Sequence, residues 1–273
     1  MASTFFLNGE FIPEEQAKLT ITDLGLLRAF GIFDFFRAMD GKPIFREDHL
    51  NRFERSASLM GLTIPASREE LRGIISELIR LNPQPLLGLK LVLTGGYSPD
   101  GFAPAEKANF FVVAKPFEFK SPDVGLHFMS VNHQRQLAEV KSLDYLLPIY
   151  LLREQRTIGA DDVLYHKDGF ITESSRSNVF LIKGNKLITP SEGMLMGITR
   201  KHILTFAKNE FDIEERPVTL EETLAADELF TTGSTKRIVP VTRIDTKLIG
   251  DGQPGPATRK LYELFLKYEQ ETN

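Results

Sequence analysis

No cysteine occurs among the 273 residues, which excludes disulfides, thiolate metal sites and cysteine nucleophiles together. Histidine is scarce too: five residues, none in a His-x-x-x-His or related spacing, so no metal site is expected. No run approaches the roughly 20 apolar residues that cross a bilayer. The opening MASTFFLNGEFIPEEQ has neither the basic region nor the long apolar stretch of a signal peptide. The net charge of -4 is small and gives no bulk reason to expect nucleic acid or an anionic membrane as partner. These absences predict a soluble, cytoplasmic protein.

What is present suffices for a sizeable core, since 42% of the residues are hydrophobic. FFLNGEFI and GIFDFFRAMDGKPIFR read as hairpins turning at Asn8-Gly9 and Asp40-Gly41. REDHLNRFERSASLMG has apolar residues at three-to-four spacing and Gly61 as a stop, and SREELRGIISELIRL opens with a Ser67/Glu70 capping box. LGLKLVLTGG and NFFVVAK then read as strands. Strands, two helices and strands again imply an α+β layer. The proline-bearing AKPFEFKSPD marks a linker, which divides the chain into an N-terminal domain, residues 1–119, and a C-terminal domain, residues 120–273. The second half begins with a strand, VGLHFMSVN, and one helix through LDYLLPIYLLREQRTIG. Hairpins at Asp168-Gly169 and Gly184-Asn185 follow, then a helix at GITRKHILTFAKNE, strands DELFTTG and RIVPVTRI, and a final helix at PATRKLYELFLKYEQ.

GFITESSRSNVFLI, residues 169–182, sets six consecutive polar residues, Glu173 to Asn178, between two runs that each read as a buried strand. A surface loop is the ordinary reading of such a stretch. Two other places share its polar, small-residue character: EVKSLDY around Lys141, and the pair GMLMGITR and FTTGSTKR. Glycine, serine and threonine at element boundaries let a phosphate approach, and backbone N–H groups at a helix start point towards it. Taken singly, each is an ordinary cap or turn.

As a set, these segments resemble the class IV pyridoxal-phosphate enzymes: branched-chain and D-amino acid aminotransferases and 4-amino-4-deoxychorismate lyase. The resemblance runs from Phe5 to the final helix. It rests on GFITESSRSNVFLIKGNKLITPSEGMLMGITR, on HLNRF, and on a lysine roughly thirty residues before the glutamate. It implies a two-domain α+β fold of type IV, with a smaller N-terminal domain and a larger cofactor-binding domain built on a mixed, barrel-like sheet. It also implies pyridoxal 5'-phosphate as cofactor, a homodimer, and a site at the domain interface.

By matching positions, the resemblance gives Lys141 the Schiff-base linkage to the cofactor and the later movement of the substrate's α-proton. Glu173 would hold the pyridine nitrogen protonated. Arg52 would bind the phosphate with its planar fork, together with Ile198, Thr199, Gly233, Ser234 and Thr235. Asn178 would return the chain to the core, and His49 would be structural beside Arg52.

The substrate side departs from the family. The Arg-x-His carboxylate trap of the D-amino acid enzymes is replaced in GYSPDGFAP by Asp100 and Phe102. Replacement cations are Arg28, the first choice, with Arg176, Lys90 and Lys236; Phe33 takes a position that faces the cofactor in relatives. Arg237 reads as a surface charge. KSLDY resembles the D-amino acid group. The expectation is therefore transfer of an amino group between a D-amino acid and a 2-oxo acid such as 2-oxoglutarate. A branched-chain L-aminotransferase, the lyase, and a scaffold without chemistry stand as alternatives.

Overall fold

The computed structural model describes residues 3–119 and 124–272. It forms two compact units: one holds the described residues up to Glu118 together with Val140–Asp144, the other Phe119–Glu139 and Tyr145–Thr272. Residues 120–123, the end of the expected linker, lie outside the described residues. The segment bearing Lys141, which lies within residues 120–273, groups with the first unit.

In the first unit, β1 (Thr4–Leu7) and β2 (Glu10–Pro13) meet at Asn8-Gly9, with φ of 48° and 105° as a two-residue hairpin turn needs. A short helix α1 (Leu24–Arg28) leads to β3 (Gly31–Met39), which turns at Asp40-Gly41 into β4 (Lys42–Pro43). Helices α2 (Arg46–Leu59) and α3 (Arg68–Leu81) follow, α3 opening with the Ser67/Glu70 capping box, then β5 (Leu86–Thr94) and β6 (Asn109–Pro116). The sheet is antiparallel, in the order β2-β1-β6-β5-β3-β4. The strand period of two divides its faces. Ile32, Phe36 and Ala38 pair with Leu93, Leu89 and Leu87 and pack with Leu50, Phe53 and Ala57 of α2 and Leu71, Ile75 and Leu78 of α3. Phe33, Phe35 and Lys90 belong to the opposite face.

One charge stands on the core face. Asp34 is fully buried, and α2 answers it with two groups. Arg52 donates from Nε to Oδ2 and from Nη2 to Oδ1, both at 2.8 Å, and His49 Nδ1 lies 2.6 Å from Oδ1. Burial alone would raise the Asp34 pKa, but Arg52 and His49 hold it far below the usual carboxylate range. These contacts fix the roll of α2 against β3 with a directionality that apolar packing lacks.

In the second unit the strands are β7 (Leu126–Asn132), β8 (Asp162–Lys167), β9 (Phe170–Ser174), β10 (Asn178–Lys183), β11 (Lys186–Thr189), β12 (Asp212–Glu215), β13 (Glu228–Gly233), β14 (Arg237–Ile244) and β15 (Lys247–Leu248). The helices are α4 (Leu146–Tyr150), α5 (Leu152–Ile158), α6 (Ile198–Ala207), α7 (Leu220–Leu224) and α8 (Pro256–Thr272). The single helix expected over LDYLLPIYLLREQRTIG is divided at Leu151 into α4 and α5, although Leu151 N still donates to Leu147 O and Gln155 N to Leu151 O. The sheet is mixed: β11–β12, β14–β7 and β7–β8 are parallel pairs. Its order is β12-β11-β10-β13-β14-β7-β8-β9, with β15 beside β14.

That order forces curvature. β9 and β10 are joined only by residues 175–177, yet β13, β14, β7 and β8 lie between them in the sheet. In a flat sheet they would stand about 24 Å apart, whereas the connection reaches about 15 Å at most. The sheet therefore curls until the two strands approach, and Ser174 N donates to Ser177 O at 2.8 Å across the junction. Strands at this junction are covered on both faces, so nearly all residues of β9 and β10 are buried.

The Asp34 cluster makes a testable statement about acid stability. Burial draws the His49 pKa down to about 4 against the attraction of Asp34, while Arg52 and Arg37 add repulsion. An unfolded histidine titrates near 6.5, so between these values the unfolded chain binds the extra proton. This contribution to stability is whole above about pH 6.5 and is lost as the pH falls to about 4. Urea unfolding from pH 7 to pH 4 should cost the wild type about 3 kcal/mol more than His49→Gln. Equal losses would show that His49 is not the titrating group.

Candidate active site

In the first unit, Lys141 is delivered by an irregular segment that continues the sheet beside β3. Phe33 N donates to Lys141 O and Leu143 N to Gly31 O, both at 2.9 Å, and Ser142 bridges Ile32. A methyl group on Gly31 would stand 2.6 Å from Leu93 O of the neighbouring strand, so β3 and β5 pair closely here only because this residue is glycine. Lys141 N also donates to Ser56 Oγ of α2 at 3.3 Å. Its ammonium lies 4.5 Å from the centroid of the Phe33 ring, and the Lys90 ammonium lies 4.7 Å from the same centroid. Both distances are within cation–π range. Lys90 stands in an otherwise apolar strand, and desolvation lowers its pKa below the lysine value.

Other expected residues of this unit have different surroundings. Arg28 is exposed at the end of α1 and donates to Leu27 O at 2.8 Å. Arg52 presents one edge of its fork to Asp34. Asp100 is an exposed turn residue that accepts from Phe102 N at 2.9 Å and Ala103 N at 2.7 Å, and Phe102 is 80% exposed.

In the second unit, the junction between β9 and β10 is the centre. Glu173 is buried at the end of β9. Its Oε1 is 2.7 Å from Arg135 Nε, and its Oε2 accepts from Leu195 N at 3.2 Å. Arg135 is held in turn by Ala138 O at 2.7 Å. The arginine supplies the counter-charge that a buried carboxylate needs. Asn178 donates to Leu195 O at 2.8 Å, and its Oδ1 is 2.0 Å from where a Cβ on Gly197 would be. Gly197 must therefore be glycine if Asn178 is to seat the start of α6, with Ile198 and Thr199 behind it. Arg176 points out as the exposed member of the junction.

Opposite Asn178 in the register is Thr232, followed by Gly233. A Cβ on Gly233 would lie 3.6 Å from Ser177 Oγ. The next residues, Ser234, Thr235 and Lys236, form the turn into β14, and Lys236 Nζ is 3.8 Å from Asp162 Oδ2. The other oxygen of Asp162 accepts from Ser175. Arg237 is not the surface charge expected from its type. It is buried and paired with Glu269 of α8, because a guanidinium inside the fold must have a counter-charge.

The model of the family described as amino-transferase class IV matches residues 31–244. The chain belongs to this family. Among relatives, a protein of Methanocaldococcus jannaschii provisionally named branched-chain-amino-acid aminotransferase is 34% identical, over 95% of this chain and 94% of its own. The D-alanine aminotransferase of Staphylococcus haemolyticus is 32% identical over 96% of each. Among solved structures, a branched-chain amino acid aminotransferase of the organism abbreviated T.th., with pyridoxamine 5'-phosphate, superposes with a TM-score of 0.93, at 25% identity, covering 100% of this chain and 96% of that one. This class IV aminotransferase has the type IV fold and uses pyridoxal 5'-phosphate.

The second unit fits a phosphate-bearing cofactor. Helix α6 starts at Gly197 with no side-chain cap. Ser177 Oγ and Thr232 Oγ1 are buried hydroxyls without a hydrogen-bond partner among the described residues. An uncapped helix start, two unpartnered hydroxyls and Gly233 beside Ser177 suit an anion that accepts several hydrogen bonds. Sequence reasoning missed Ser177, Thr232 and Arg135. Arg135, in HQRQ, carries no signal of its own.

Arg135 and Glu173 form a buried pair that a double-mutant cycle can isolate. Arg135→Leu should lower the unfolding free energy by about 3–5 kcal/mol, because it strands a buried carboxylate. Arg135→Leu/Glu173→Gln should recover most of that loss in urea titrations. A double variant as unstable as the single one would show that the arginine acts through packing instead.

Proposed function

We propose that this aminotransferase moves an amino group between a D-amino acid, such as D-glutamate or D-alanine, and a 2-oxo acid such as 2-oxoglutarate, acting in the cytoplasm. The observation that carries the substrate class is the Lys90 ammonium at Phe33, beside Lys141. With Lys141 committed to the cofactor, Lys90 keeps a positive charge on the face of the first sheet that bears Phe33, in an apolar strand where an incoming carboxylate gains most. The D hand is supported by KSLDY around Lys141 and by relatives named D-alanine aminotransferase. A second reading, branched-chain L-amino acids, is supported by the M. jannaschii relative and by solved structures similar to the chain.

When bound, pyridoxal phosphate supplies an electron sink and carries the amino group between the two half-reactions. In this reading Lys141 holds the cofactor covalently, and its freed amine moves the α-proton of the substrate. Glu173, fixed by Arg135 and Leu195 N, accepts from the ring nitrogen and keeps it protonated. Ile198, Thr199, Gly233, Ser234 and Thr235 hold the phosphate, with Ser177 and Thr232 added and Asn178 supporting. Arg52, oriented by Asp34, is the positive group expected from HLNRF. Substrate carboxylates are read by Lys90, with Arg28, Arg176 and Lys236 as further cations beside Phe33's role as a wall.

We read the working form as a homodimer. Leu146, Ile149 and Tyr150 leave an apolar stripe at helical spacing on α4, and Ile21, Leu26 and Phe102 are exposed in the first unit. A sedimenting species of only one chain mass would contradict this.

Borohydride reduction followed by peptide mapping should place the cofactor's mass on the peptide that contains Lys141. Half-reactions of the purified holoenzyme with D- and L-amino acids should then bleach the cofactor band with D-glutamate or D-alanine. Turnover of L-leucine alone would select the branched-chain reading, and a label on another lysine would remove Lys141 from its role.

Removing a cation that reads a carboxylate costs about 2–5 kcal/mol in a comparable binding site, well over tenfold in the Michaelis constant. Lys90→Ala should raise that constant for glutamate and 2-oxoglutarate by such a factor. Arg28→Ala, at an exposed helix end, should have a smaller effect. The reverse order of effects would restore Arg28 as the principal group.

A further inference from the structure

We propose that Arg237, through Glu269, is a positioning residue for the turn at residues 233–236, so that the last helix of the chain sets the cradle for the cofactor's phosphate. The proposal rests on the reading that Ser234 and Thr235 hold that phosphate.

The turn is closed by Lys236 N donating to Gly233 O at 3.0 Å, and Gly233 pairs with Arg237 across the hairpin. Its last residue, Arg237, has φ of +58°, in the left-handed region. A side chain with a Cβ is disfavoured there, and glycine or asparagine is the usual occupant. An ion pair with a distant part of the unit accompanies the arginine in that conformation. The guanidinium turns inward and donates from Nε to Glu269 Oε2 at 2.9 Å, with Nη2 on the same oxygen. Its Cζ lies 4.1 Å from the centroid of the Phe119 ring. Arg237 is 8% exposed and Glu269 only 3%.

A buried ion pair gives little net stability, since desolvation offsets its attraction, but it is strongly directional. Here it holds the residue that fixes the direction of the turn. Lys236, next to it, is drawn towards Asp162 of β8. The end of the turn is thus held to α8 through Arg237, with Lys236 near β8, and Ser234 and Thr235 immediately precede these two residues. Without the pair, residue 237 relaxes to negative φ and the amides and hydroxyl of the turn leave their positions.

The test measures the dissociation constant of pyridoxamine 5'-phosphate, which Lys141 cannot hold covalently, in variants that leave no unpaired carboxylate. Arg237→Ala/Glu269→Gln loses the pair and keeps the Cβ penalty at 237. Arg237→Gly/Glu269→Gln loses the pair and the penalty together. We expect the alanine double to bind roughly tenfold more weakly than wild type, and the glycine double to stay within about twofold. A purely structural pair would lower the melting temperature of both without separating their affinities. Two doubles that bind equally, whether well or poorly, overturn the proposal. Ser234→Ala is measured beside them. If it weakens binding while the doubles match, the positioning role alone fails; if it binds like wild type, the phosphate assignment fails first. Should the doubles not fold, Glu269→Gln alone keeps shape while halving the charge pair, and unchanged affinity there overturns the proposal.

Discussion

The second unit depends on one geometric constraint, the short connection between β9 and β10. A sheet ordered as this one is must curl to let residues 175–177 close the gap. Curling covers both faces of the strands at the junction, so polar groups placed there are cut off from water. That is why Glu173, Ser174, Ser175, Ser177 and Asn178 are buried although they look like a surface loop. Each must then find a partner in the protein or in a ligand. Glu173 finds Arg135 and Leu195, Ser175 finds Asp162, and Asn178 finds Leu195. Among the described residues the hydroxyls of Ser174 and Ser177 remain without a partner, and that of Ser177 lies beside Gly233.

Buried charges follow one logic through both units. Asp34 takes His49 and Arg52, Glu173 takes Arg135, and Arg237 takes Glu269. Burying such pairs is roughly neutral for stability compared with packing apolar groups in the same volume. Their use is orientation, because a hydrogen-bonded ion pair tolerates less rotation than two packed methyls. Two of these three pairs include a residue that the family resemblance assigns to the cofactor, and the third closes the turn that carries Ser234. Hydrophobic burial assembles the sheets and helices, and the ion pairs then fix which way particular side chains face.

Much of the fold could be read in the chain before its structure. The Asn8-Gly9, Asp40-Gly41 and Asp168-Gly169 turns all adopt the positive φ values that these dipeptides favour, and the capping box at Ser67 and Glu70 forms as spelled. Local signals of this kind act over a few residues and are stated outright in the sequence. What was not readable is long-range. Arg237 looked like a surface charge because nothing within ten residues tells that Glu269, on the last helix, is waiting for it. Arg135 was passed over for the same reason, its partner being 38 residues away. The return of Val140–Asp144 to the first unit rests on backbone hydrogen bonds to Gly31 and Phe33, more than a hundred residues earlier, which no local pattern announces.

The same reasoning explains why the reaction class is easier to establish than the substrate. Beside Lys141 and Arg52 of the first unit, the parts suited to the cofactor are a strand junction, a helix start and a hairpin turn, consequences of how the second sheet closes. A chain that keeps the fold keeps them, and a TM-score of 0.93 at 25% identity shows how far sequence can drift around them. The parts suited to the substrate are single side chains, such as Lys90 on a strand face, Arg28 at an exposed helix end and Arg176 at the strand junction, while Asp100 and Phe102 stand in a surface turn without a cation. Replacing any of these leaves the sheet intact, so relatives with the same architecture can carry names as different as D-alanine and branched-chain-amino-acid aminotransferase. Asp100 illustrates the freedom well. Its carboxylate is spent on the amides of its own turn, which makes the loop self-supporting and releases it from any obligation to the chemistry.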